Sequence, residues 1–109
     1  MTRLSTHVLD VATGVPAAGV TVELFALPGG EHLATGSTDS DGRVDPLEAD
    51  LASGEYRLRF HVGPYFEGLR LTTLYPIITI DFVLGDPPAD HLHLPVLVSP
   101  FGYSTYRGS

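Results

Sequence analysis

The stretch Tyr56-Arg57-Leu58-Arg59-Phe60-His61-Val62 alternates without a break, with Tyr56, Leu58, Phe60 and Val62 on one side and Arg57, Arg59 and His61 on the other. A period of two is the side-chain period of an extended chain. One apolar and one wet side is what an antiparallel strand against a core requires. Outward from this stretch the pattern recurs. Val20, Val22, Leu24 and Ala26 alternate between the turn-forming Gly14-Val15-Pro16 and Pro28-Gly29-Gly30. Ile78, Ile80, Phe82 and Leu84 alternate with Thr79 and Asp81 opposite, and Pro76 stands just before them, where a strand tolerates it. Leu92, Leu94, Val96 and Val98 share a face against His91, His93, Pro95 and Leu97. Leu4 to Val11 and His32 to Thr38 read as further strands, and the aromatic-rich Phe101 to Tyr106 as a closing one. Asp39-Ser40-Asp41-Gly42 reads as a turn whose Asp residues cap backbone groups and whose Gly takes a positive φ. Only Pro64 to Leu71 suits a helix, of about two turns at most. Seven or eight short strands with turns about every 8 to 12 residues predict an all-β, antiparallel β-sandwich with one short helix.

The chain has 109 residues, the size of one domain with one core, so residues 1–109 are expected to form a single domain. Apolar residues make up 43% and charged ones 17%, too apolar for a disordered tail. The formal charge of -7 argues against nucleic acid or an anionic membrane as partner. Cysteine is absent, which excludes disulfides, a thiolate nucleophile and Cys-ligated metal, and leaves packing or oligomerisation to supply stability. Met1 to His7 lacks the apolar stretch of a secretory signal, and no apolar run reaches the roughly 18 residues of a membrane helix. A soluble, cytoplasmic protein is the expectation.

Chemistry concentrates in a few places. His91 and His93, two apart, project from the same strand face, opposite the apolar one, and so toward solvent or another subunit. Such a pair suits a plain wet surface, a metal site or acid–base catalysis. His7 in the first strand is a candidate third imidazole, and with the pair it would make a chemically reasonable His₃ zinc site. Arg43, after the Asp39–Gly42 turn, is either a surface charge or a fork for a planar anion or developing oxyanion. Tyr106-Arg107-Gly108-Ser109 follows directly on the aromatic strand, with a hydroxyl at Ser109 and a fixed charge at Arg107. Either a frayed end or part of a site fits that composition.

Three separated motifs are similar to those of the transthyretin-like 5-hydroxyisourate hydrolases: Leu4-Ser5-Thr6-His7-Val8-Leu9-Asp10, Thr38 to Arg43, and His91-Leu92-His93-Leu94-Pro95 running on to Tyr106-Arg107-Gly108-Ser109. The run from Ser99 to Ser109 is the most specific element, and the resemblance spans essentially the whole chain. It implies a transthyretin-like sandwich assembled as a homotetramer, with sites at the interface between dimers. It also implies hydrolysis of the cyclic amide of 5-hydroxyisourate to 2-oxo-4-hydroxy-4-carboxy-5-ureidoimidazoline, in urate degradation, with no cofactor and no metal. By the same resemblance His7, Arg43, His93 and Ser109 are catalytic, and His91, Tyr106, Arg107 and Gly108 bind the substrate. Leu92 departs from the family, whose members often carry an aromatic residue there; strand parity puts it on the opposite face from the chemistry. A non-catalytic ligand carrier on the same fold is the alternative.

Overall fold

The computed structural model describes all 109 residues. In chain order the elements are β1 (Thr2–Asp10), β2 (Val15–Pro16), β3 (Thr21–Leu27), β4 (Glu31–Ser37), β5 (Arg43–Leu51), β6 (Gly54–His61), α1 (Gly63–Gly68), β7 (Ile77–Leu84), β8 (His91–Ser99) and β9 (Gly102–Thr105). One sheet has the order β4-β3-β6-β7. In the other, β1 is flanked by β8 and then β9 on one side and by β2 and β5 on the other.

Every strand expected from alternation is present. The structure adds the two-residue β2 and the nine-residue β5, where the sequence showed no period of two. In β5 only Leu47 and Leu51 are buried, four residues apart, and the pairing to β1 shifts register twice. Pro46, which has no N–H to give a ladder, lies in this irregular stretch. All pairings are antiparallel except that of β1 with β8, which is parallel and runs in unbroken register from Arg3 opposite His91 to Asp10 opposite Val98. Residues from near the two ends of the chain are thereby set side by side. The helix stops at Gly68, short of the expected Leu71, and Arg70 takes a positive φ as the chain turns away.

The alternating residues become the core. Val20, Val22, Leu24, Leu58, Phe60, Ile78, Val96 and Val98 are buried, and α1 contributes the fully buried Phe66. Buried polar side chains are all satisfied. Thr6 Oγ1 donates to the Leu94 carbonyl (2.6 Å), and Thr38 Oγ1 accepts from Val20 N–H (2.8 Å) while donating to the Ala17 carbonyl (2.7 Å). Asp10 accepts from Ala12 N–H, Thr13 N–H and the Tyr65 hydroxyl. Burial pushes its carboxyl up, but those three donors outweigh it and hold the group below its ordinary value. Burial, with the neighbouring Asp10 carboxylate, pushes the Tyr65 phenol up to about 12.

The Asp39–Gly42 turn is built as its residues suggest. Asp39 Oδ1 accepts from Asp41 N–H (2.9 Å) and Arg43 N–H (3.0 Å), which holds the Asp39 carboxyl below its usual range. Gly42 has φ +77°, its carbonyl accepts from Val8 N–H (2.7 Å), and a Cβ there would stand 2.5 Å from the Val8 carbonyl oxygen. Both the dihedral and the close approach demand glycine. Gly42→Ala should therefore cost about 1–3 kcal/mol, read as a lowered midpoint in urea unfolding with unchanged slope.

Candidate functional site

The outward face of the β1 sheet collects the candidate residues. On β1 that face carries Arg3, Ser5 and His7, each two residues from the next. Register then places their neighbours. On the β8 side, Arg3 lies opposite His91, Ser5 opposite His93 and His7 opposite Pro95; on the β5 side, His7 lies opposite Arg43. Arg43 is thus the first residue of a strand, and its direction is set by pairing to β1. The structure brings His7, Arg43, His91 and His93 together on one face. The ring centroids of His7 and His93 are 6.5 Å apart, and those of His91 and His93 are 6.3 Å apart with the rings nearly parallel. No three His, Asp or Glu side chains converge as a ligand set for a metal ion.

Hydrogen bonds orient these rings. His7 Nε2 lies 2.7 Å from the Asp41 carbonyl oxygen. A carbonyl can only accept, so His7 Nε2 carries the proton and, in the neutral ring, Nδ1 carries the lone pair. The same bond ties the Asp39–Gly42 turn, and with it Arg43, to β1. Ser5 Oγ lies 2.8 Å from His93 Nδ1 and 3.0 Å from His91 Nε2. His93 Nε2 has no protein partner, and no buried side-chain nitrogen or oxygen is left without one, so this nitrogen is open to solvent. Ser5 was not singled out from the sequence. Its position two residues before His7 on an outward row was the available signal.

The electrostatics favour a neutral His93. Burial comes first in lowering its pKa below 6.5, followed by the positive charge of Arg43 and by repulsion from the neighbouring imidazoles of His7 and His91, while Asp45 acts the other way. The Arg43 guanidinium makes no ion pair, because the Asp39 carboxylate is occupied by backbone amides and Asp45 is paired with Arg3 at 2.8 Å. Its charge therefore remains available to a substrate.

The tail meets the cluster at one residue. Gly108 N–H donates to the His93 carbonyl (2.8 Å), and a Cβ on Gly108 would stand 2.6 Å from His93 Cδ2. Thr105 Oγ1 donates to the Pro95 carbonyl, so the tail lies along the edge of β8 that β9 leaves uncovered. Tyr106 and Ser109 are exposed. Arg107, exposed as well, also lines an open cavity of about 240 Å³ with Phe82, Val83, Leu92 and Leu94, whose two leucines lie on the core side of β8. Leu92 is placed there as strand parity required.

A family model described as the HIUase/Transthyretin family matches residues 4–108, nearly the whole chain. The chain belongs to this family. A 5-hydroxyisourate hydrolase of Mesorhizobium japonicum is 45% identical, over 98% of this chain and 92% of that one. The fold superposes on the structure of Klebsiella pneumoniae 5-hydroxyisourate hydrolase with a TM-score of 0.91 at 44% identity, covering 100% of both chains. It superposes on sea bream transthyretin, solved in complex with thyroxine, at 0.90 with 27% identity, over 97% of this chain and 94% of that one. The HIUase/Transthyretin fold is thus shared at nearly equal fidelity by a hydrolase and a thyroxine-binding protein, while identity is higher to the hydrolase.

Because the protonated form of His93 is disfavoured only in the folded state, its contribution to stability is lost as pH falls from 6.5 through the lowered folded value. An NMR titration should give His93 a midpoint below 6.5. In Arg43→Gln that midpoint should rise only part of the way back, because burial, the larger cause, persists.

Proposed function

We propose that this protein is a hydrolase of 5-hydroxyisourate, opening its cyclic amide to 2-oxo-4-hydroxy-4-carboxy-5-ureidoimidazoline as a step of urate degradation. What carries this reading is the convergence of His7, Arg43 and His93 on one sheet face, in a chain that matches hydrolases over its full length. Opening the ring needs a water made nucleophilic, a place for negative charge on the attacked carbonyl oxygen, and a proton for the departing ring nitrogen.

The residues meet those needs in turn. His93, kept neutral by burial and by Arg43, takes a proton from water at its open Nε2 as the water oxygen bonds to the carbonyl carbon. The Arg43 guanidinium, free of any ion pair, faces the developing oxyanion. His7, its tautomer set by the Asp41 carbonyl, offers Nδ1 to orient the water or substrate. The tail from Tyr106 to Ser109 closes the site over His93, with Gly108 in contact and the Ser109 hydroxyl in reach of solvent-exposed ligand groups. Arg107 adds an exposed cation to the tail, and His91 extends the polar rim. The reaction as written uses no cofactor and no metal.

The site belongs, in this reading, to a homotetramer of single-domain, cytoplasmic subunits, with the His face at a contact between dimers. The outward row of β8 turns from imidazoles to Leu97 and Ser99, which with Val11, Gly102 and Tyr103 line a shallow groove of about 320 Å³. Phe101 and Tyr106 are exposed nearby, and β9 and β7 are edge strands. Exposed aromatics beside an unpaired edge are surfaces that association covers. No helix is long and apolar enough to cross a membrane.

The test is ultraviolet absorbance of 5-hydroxyisourate made in situ from urate by uricase. The protein should accelerate its decay, His93→Asn should lower turnover by about 10²- to 10⁴-fold, and Gly108→Ala or loss of Ser109 should also lower it with the fold intact. No acceleration by folded, assembled protein would move the assignment to a non-catalytic carrier of small planar ligands. Light scattering should give the mass of four chains.

A further inference from the structure

We propose that Ser5 is a positioning residue for this hydrolysis, holding His93 in the tautomer of a base and linking it to His91 as a temporary acceptor for the proton. The inference rests on the hydrolase reading above. Its geometry is independent of that reading.

A serine hydroxyl has one proton, and here it lies within hydrogen-bond distance of two ring nitrogens, His93 Nδ1 and His91 Nε2. It must donate to one ring and accept from the other. The two choices have opposite consequences. If Ser5 donates to His93, the His93 proton sits on Nε2 and the nitrogen open to solvent is not a base. If His93 Nδ1–H donates to Ser5 and Ser5 donates to His91 Nε2, then His93 Nε2 carries the lone pair. Only the second arrangement gives a base that faces solvent, and it requires neutral His91 to carry its proton on Nδ1. Ser5 itself is 2% exposed, so no bulk water competes for its hydroxyl.

From that arrangement the proton account closes. As His93 Nε2 takes a proton from the attacking water, its Nδ1 proton moves to Ser5 Oγ and the Ser5 proton moves to His91 Nε2. Positive charge then rests on His91, which is exposed, instead of on His93, which is half-buried and faces His7 and Arg43. His91 lies beside Arg3 in register, but Asp45 pairs with that arginine. His93, neutral again, now holds a proton on Nε2. When it delivers that proton to the departing ring nitrogen, the two shifts reverse, His91 gives its charge back and the starting state returns. The water proton ends on the leaving group, and Ser5 is unchanged.

The experiment has two arms. In the kinetic arm, Ser5→Ala and His91→Phe should each lower kcat by about 10- to 100-fold with KM little changed, as for other groups that orient a working histidine. The double variant should be no worse than the poorer single one, because both remove the same chain. Ser5→Thr, which keeps the hydroxyl, should retain more activity than Ser5→Ala. In the spectroscopic arm, long-range ¹H–¹⁵N spectra of the resting wild-type protein should place the His93 proton on Nδ1, and Ser5→Ala should mix the tautomers. A kcat for folded Ser5→Ala within about twofold of wild type, or multiplying losses in the double variant, would overturn the proposal. So would a His93 proton found on Nε2 in the wild type, a result that stands even if Ser5→Ala does not fold. Absence of wild-type activity would count against the hydrolase reading instead, and the tautomer spectrum would still decide the hydrogen-bond chain.

Discussion

The parallel pairing of β1 with β8 is the constraint on which the site depends. Eight consecutive register positions, from Arg3 and His91 to Asp10 and Val98, lock residues more than eighty apart in sequence into one surface. Parallel strands cannot be joined by a tight turn, so this contact is made across a long intervening stretch of chain. A slip of one residue would turn His91 and His93 into the core and Leu92 and Leu94 out to water, so the cost of burying imidazoles enforces the register that function needs.

Around that pair the protein sets small, rigid devices. The Asp39–Gly42 turn presses its glycine against the Val8 backbone and is tied to His7 through the Asp41 carbonyl, so the arginine that follows is delivered to the imidazole beside it. Gly108 does the same from the other end of the chain, packing backbone against the His93 ring where any side chain would collide. Two glycines thus permit close approach at the two points where separate segments reach the cluster. The result is a histidine held neutral by burial and by a cation, in a chain whose overall charge is strongly negative.

The likeness to a hydrolase and to a thyroxine-binding protein, at almost the same structural similarity, illustrates how little of function resides in the sandwich itself. The two sheets supply a stiff outward face. Chemistry depends on which side chains stand on that face, and here they are three imidazoles, a hydroxyl and an unpaired guanidinium.

Alternation alone determined most of the architecture, because a side chain period of two against one core is a local property: β3, β6, β7 and β8 could be read residue by residue, and the outward direction of His91 and His93 followed from parity. Spacing also marked the turn before Arg43. β5 was illegible because Pro46 and two register shifts break its period, leaving Leu47 and Leu51 as its only buried positions. The parallel sense of β1 and β8 was illegible because no local signal encodes which distant strands pair. The role of Ser5 emerged only once that pairing set its hydroxyl between two rings. Arg107, grouped with the site by its motif, is exposed and stands beside Phe82 and Leu94 at an open cavity, a neighbourhood that no local pattern encodes. The sequence determined which residues face outward; tertiary structure decided which of them meet, since meeting depends on pairing between segments that share no local pattern.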